Sequence, residues 1–127
     1  SRPAIVCVEP TAAACVLASL HAGELRSVDT STGSIMTGLC TGTTSRIAWP
    51  ALRDGLDAAV AVEDPSVRDA VAELTELGRD VGPCGASALV GARAVFSDAH
   101  VRGRLGLAED AVVVLLSTEG LAANPLP

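Results

Sequence analysis

Three short apolar runs that never alternate with polar residues, Ala4–Val8, Ala58–Val62 and Ala111–Leu116, constrain the fold of this chain more than anything else in it. A strand with one wet face alternates, whereas a strand covered on both faces reads as an unbroken apolar run. Strands of that kind belong to a mostly parallel sheet with helices on both sides. The expected fold is therefore α/β, a three-layer sandwich around a small, mostly parallel sheet, forming a single domain over residues 1–127.

The segments between the runs carry helix signals. Thr11 is placed to cap a helix through His21, with Gly23 able to take the left-handed position that ends it. Asp64-Pro65 supplies an N-cap followed by proline at the first helical position. Beyond it Val67, Ala70, Val71, Leu74 and Leu77 recur at helical spacing, Arg68, Asp69, Glu73 and Glu76 take the other face, and Gly78 closes the helix. Trp49-Pro50 opens a short helix that stops near Gly55, and Cys84–Val95, rich in Ala, Gly and Ser, reads as a helix that approaches its neighbours closely. Residues 26–46 are dense in Ser, Thr and Gly and read as a loop with room for one helical turn around Ile35, Met36 and Leu39. The core must be built from Ala, Val and Leu, because the chain has no Tyr, one Phe and one Trp.

Charge and cysteine usage narrow the function classes. The net charge is −6, with nine arginines and no lysine, which disfavours a surface that gathers phosphate backbones, so nucleic acid is not an expected partner. The longest apolar run is far shorter than a membrane span, and the first residues lack a signal peptide's pattern. Cys7, Cys15, Cys40 and Cys84 stand far apart with no CxxC pair, and neither His21 nor His100 lies at zinc-site spacing from two of them. Reduced thiols in a cytoplasmic protein are expected. Gly42, Gly82 and Gly85 form no Walker or dinucleotide fingerprint, and no nucleophile, histidine and acid fall in a recognisable triad order. His21, beside a helix end, and His100, in a polar turn, read as surface residues.

In open parallel sheets ligands lie beyond the carboxyl ends of the strands. That rule singles out Glu9-Pro10, Glu63-Asp64 and Ser117-Thr118-Glu119-Gly120. On residue types alone Ser117-Thr118 is equally an ordinary turn after a strand, and Glu119 is open between a substrate or hydrogen-bond partner and a solvated carboxylate.

Three stretches, Ile35–Gly42, Ala48–Gly55 and Asp110–Gly120, resemble in order and spacing the carboxy-terminal part of diaminopropionate ammonia-lyase and its fold type II pyridoxal-phosphate relatives. Val8-Glu9-Pro10 before an Ala-rich helix and Gly82-Pro83-Cys84-Gly85-Ala86 fit the same pattern, so the resemblance covers nearly the whole chain. It implies a lyase that uses pyridoxal phosphate and acts on a small amino acid, and a homodimer when full length. Ser117 or Thr118 would face the pyridine nitrogen as a neutral hydroxyl, Gly85-Ala86 would lie against the cofactor ring, and Met36, Gly38 and Leu39 would line the substrate side. Two features depart from the family pattern. There is no lysine to hold the cofactor covalently, so the N-terminal half or a separate chain must supply it; and Pro83-Cys84 stand where Glu-Ser is usual. A degenerate, non-catalytic module that pairs with a partner through its sheet edge is the alternative expectation.

Overall fold

The computed structural model describes residues 2–127. Two parallel strands form its sheet: β1, Val6–Pro10, pairs in register with β2, Ala58–Val62, from Val6 opposite Ala58 to Pro10 opposite Val62. Five α-helices surround them: α1 (Cys15–Ala22), α2 (Trp49–Gly55), α3 (Asp64–Glu76), α4 (Pro83–Ser97) and α5 (Ala99–Leu105). Successive side chains of β1 point to opposite faces. Val8 meets α4, Glu9 meets the start of α1, and α3 packs along α4, which yields the three expected layers. Met36, Val62, Val67, Ala70, Val71 and Ala86 share one buried cluster, with Val8, Val60 and Leu74 packed against it.

Small residues set the closest approach. A Cβ on Gly91 of α4 would overlap Val8 Cγ2 and stand 3.0 Å from Val8 Cγ1, so the helix can lie on the strand only because the side chain is absent. Gly23 and Gly78 take the left-handed conformation after α1 and at the end of α3, with φ of 74° and 71°.

Several local expectations are corrected. The first strand starts at Val6 rather than Ala4, because the Asp57 carboxylate takes the Ile5 N–H at 2.8 Å before the ladder begins. Thr11 does not cap α1. Thr11–Ala13 form a single 3-10 turn, and the cap comes from Glu9, whose carboxylate accepts from the Val16 and Leu17 amides at 2.8 and 2.9 Å. Asp64 is the first residue of α3 rather than its cap, and Leu77 lies past the buried stripe, 67% exposed. His100 lies in a helix that the sequence reading missed, α5, whose start is capped by Asp98 accepting from the His100 and Val101 amides.

The largest correction concerns Ala111–Leu116. It is extended but joins no ladder among the described residues, and Val112, Val114 and Leu116 are 91, 78 and 79% exposed. A run suited to burial on both faces has no neighbour to pair with among the described residues. Between it and β1 lies a cleft of about 400 Å3, floored by α4 through Ala88, Ala92 and Val95 and walled by Val6, Val8, Val113 and Leu115.

Candidate functional site

The residues singled out near strand ends fall into two groups. Glu9, at the end of β1, is 7% exposed and wholly engaged in capping α1, so it is structural. After β2, Asp64 turns its carboxylate onto the Ile35 N–H at 3.0 Å and onto the Ser34 hydroxyl, anchoring the 34–40 loop. That loop continues through a 3-10 turn, Thr37–Leu39, to the first turn of α4.

At this junction the structure brings the cofactor and substrate candidates together. Ser117 sits directly on Gly85: a Cβ there would overlap Ser117 Oγ and stand 2.9 Å from Val81 Cγ1. Only glycine permits that seat. Gly38 lies against Cys84, its Cβ position 3.3 Å from the sulfur. Ser117, Thr118 and Gly38 are exposed, while Leu39 is half-buried. Met36 and Ala86 are both 0% exposed and belong to the core cluster, so their side chains fill the core beneath the junction and only their backbone could reach a ligand.

Glu119 and Asn124 also occupy the junction. The Glu119 carboxylate accepts from the Cys84 amide at 2.9 Å, capping α4 from a distant segment, and from Asn124 Nδ2 at 3.3 Å. Burial pushes this carboxyl up, but hydrogen bonds from the Cys84 thiol and amide and from Asn124 outweigh it and hold the group below the usual carboxylate range. Burial and the bond to Glu119 raise the Cys84 thiol, against opposing amides of Gly38 and Leu39, so the sulfur stays protonated at neutral pH. Asn124 was not foreseen. It lies past every strand signal, and its 8% exposure reflects long-range contacts that no local pattern announces.

This donor set fits one part of pyridoxal phosphate. An exposed neutral hydroxyl seated on a glycine suits the edge of a planar ring and its nitrogen. The N-terminal turn of α4 cannot serve the phosphate, because a carboxylate already takes the Cys84 amide. Nor does the chain contain a lysine. Among the described residues no cluster of His, Cys, Asp and Glu is arranged to hold a metal ion, and no helix is long and apolar enough to cross a membrane.

A family model described as pyridoxal-phosphate dependent enzyme matches residues 1–118. The chain belongs to this family. A threonine deaminase from T.th. superposes with a TM-score of 0.69 at 25% identity, over 74% of this chain and 34% of that one. Maize serine racemase gives 0.65 at 32% identity, over 70% and 27%. Serine racemase from Dictyostelium discoideum gives 0.61 at 21% identity, over 69% and 27%, and supports the fold alone. No curated protein sequence matches. The chain thus spans about a third or less of the length of these solved relatives. Fold type II architecture and the cofactor class are established on these grounds, and the chain is homologous to enzymes that use that cofactor.

Proposed function

We propose that these residues form the pyridine-ring side of a cytoplasmic lyase of the diaminopropionate ammonia-lyase kind, which eliminates ammonia from a small amino acid. The observation that carries the reading is the seat of Ser117 on Gly85, beside the 34–40 loop. When bound, pyridoxal phosphate supplies an electron-withdrawing ring that weakens bonds at the substrate's α-carbon. Ser117, with Thr118 next to it, orients the ring by offering a neutral hydroxyl at its nitrogen. Gly85 and the backbone of Ala86 leave room for that approach, and the backbone of Met36 with Gly38 and Leu39 bounds the substrate side.

Covalent attachment, the phosphate cradle and proton removal fall to the remainder of the enzyme, either in the same polypeptide or as a separate chain, assembling as a homodimer. Support comes from the cleft beside β1. Its walls are the edge of β1 and Val112–Leu115, neither paired further among the described residues, so an inserted apolar strand would satisfy both. The direction suits a parallel strand. Ser117 meets the start of α4, and the end of β2 reaches the same place through Asp64, Ile35 and Asn124.

The same cleft favours a second reading, a non-catalytic module whose sheet edge binds a partner chain. Ammonia release separates the two. The chain assembled with the rest of its fold is assayed with 2,3-diaminopropionate, threonine and serine in the presence of pyridoxal phosphate. Turnover of one of them is expected, whereas a stable assembly that binds no cofactor and releases no ammonia supports the module.

A further inference from the structure

Beyond Ser117 the chain doubles back onto the start of α4 and is fastened there. The Gly82 amide donates to the Glu119 carbonyl at 3.1 Å, the Cys84 amide to Glu119 Oε1 at 2.9 Å, and the Leu121 amide to Asp80 Oδ1 at 2.8 Å. Before Ser117, Val112–Leu116 are exposed and outside any ladder among the described residues. The hydroxyl is therefore anchored from its downstream side.

One atom joins the whole junction. Glu119 Oε1 takes the α4 amide and also Asn124 Nδ2, at 3.3 Å, and the same Asn124 nitrogen reaches the Ile35 carbonyl at 3.2 Å. Cys84 completes the link, its sulfur 3.3 Å from the Cβ position of Gly38 and 3.8 Å from Asn124 Nδ2. A carboxylate at a helix N-terminus makes stronger, charge-assisted bonds than a neutral acceptor, which suits it to this task.

We propose that Glu119 is a positioning residue, holding the Ser117 hydroxyl on Gly85 and coupling it through Asn124 and Cys84 to the Ile35–Leu39 loop. The role of Ser117 toward the cofactor rests on the function proposed above; the coupling is measurable without cofactor.

The test is amide hydrogen exchange on the whole chain for Glu119→Ala, Glu119→Gln and Asn124→Ala, with alkylation of Cys84 by iodoacetamide followed by mass mapping. Glu119→Ala should speed exchange on the order of tenfold or more at Cys84 and Leu121, and also at Ile35 and Leu39, while the Val67–Val71 stretch of α3 is unchanged. Glu119→Gln keeps an acceptor oxygen and should restore most of that protection. It also removes the charge beside Cys84, so the alkylation profile should move to lower pH, a shift that loosened packing alone does not produce in a protected segment. Asn124→Ala should loosen the loop while sparing the Cys84 amide.

Loosening confined to one side of the junction, equal damage from Ala and Gln at 119, or an unmoved Cys84 profile in Glu119→Gln would overturn the coupling. Should Glu119→Ala fail to fold, the Gln and Asn124 variants decide the matter alone: a loop as protected in Asn124→Ala as in the wild type refutes it. Exchange as expected in a complete enzyme that binds no pyridoxal phosphate would remove the cofactor reading and leave the coupling standing.

Discussion

Replacing Glu9 with alanine tests whether the residue at the end of β1 serves the fold or a ligand. Its carboxylate is 7% exposed and accepts from the amides of Val16 and Leu17 at 2.8 and 2.9 Å, with the Cys15 thiol at 3.8 Å. Truncation leaves two helix amides without a partner in a half-buried turn. A bond to a charged group contributes about 1.5–3 kcal/mol and loss of an N-cap costs about 0.5–2 kcal/mol. Because one carboxylate makes both bonds and water can partly replace it, the expected loss is about 2–4 kcal/mol rather than a sum. That is a large share of a domain stability of roughly 5–15 kcal/mol. With a urea slope of about 2 kcal/mol per molar, the middle of the usual range, the unfolding midpoint should fall by about 1–2 M. Glu9→Gln keeps one acceptor and should lose roughly half as much. A midpoint unmoved by Glu9→Ala, with the helical circular dichroism intact, would refute the capping role. If the complete enzyme then lost activity at unchanged stability, Glu9 would return to the list of ligand-contacting residues.

Three other outcomes follow from particular contacts. Gly91→Ala gains about 1 kcal/mol of helix propensity but overpacks Val8 by about 1–3 kcal/mol, so it should destabilise overall, and Val8→Ala should rescue part of the loss in a double-mutant cycle. Burial, with Glu9 and Cys15 nearby, pushes the Cys7 thiol from 9.0 up to about 11. The folded chain thus keeps a proton that the unfolded chain releases, so the melting temperature should fall as pH rises from about 9 toward 11, and Cys7→Ala should flatten that decline. Val114→Arg, at a side chain 78% exposed, should change the stability of the isolated chain by less than about 0.5 kcal/mol yet block assembly with the rest of the fold in size-exclusion chromatography.

The elements that sequence reading placed well were those with local causes. Asp64-Pro65 and Gly78 bracket α3, Trp49-Pro50 and Gly55 bracket α2, and the unbroken Ala58–Val62 run forms β2. Misreadings came where a partner distant in sequence decides the outcome. Thr11 looked like the cap of α1, but Glu9, seven and eight residues before the amides it binds, takes that role from the neighbouring strand. Asp98 and Gly106, at φ 65°, bracket α5, a local signal that also suits the polar turn expected around His100. Ala111–Leu116 has the composition of a buried strand and lacks a pairing neighbour among the described residues, a circumstance no local pattern encodes. The candidate site was legible through resemblance more than through spacing. The strand-end rule pointed to Ser117 and the resemblance to Gly85 and Gly38, whereas the buried Asn124 and the engagement of Glu119 emerge only once three segments meet.

The proposed ring-side role of these residues is tested most directly by locating and weighing the cofactor in their assembly with the rest of the fold. Pyridoxal phosphate is bound, reduced with borohydride and mapped by peptide mass, and its affinity is compared between wild type and Ser117→Ala by absorbance titration. The adduct is expected on a lysine outside residues 1–127, with cofactor binding weakened on the order of tenfold by Ser117→Ala, the effect of losing one hydrogen bond at the ring. An adduct within these residues, or an affinity and spectrum unchanged by Ser117→Ala, would contradict it.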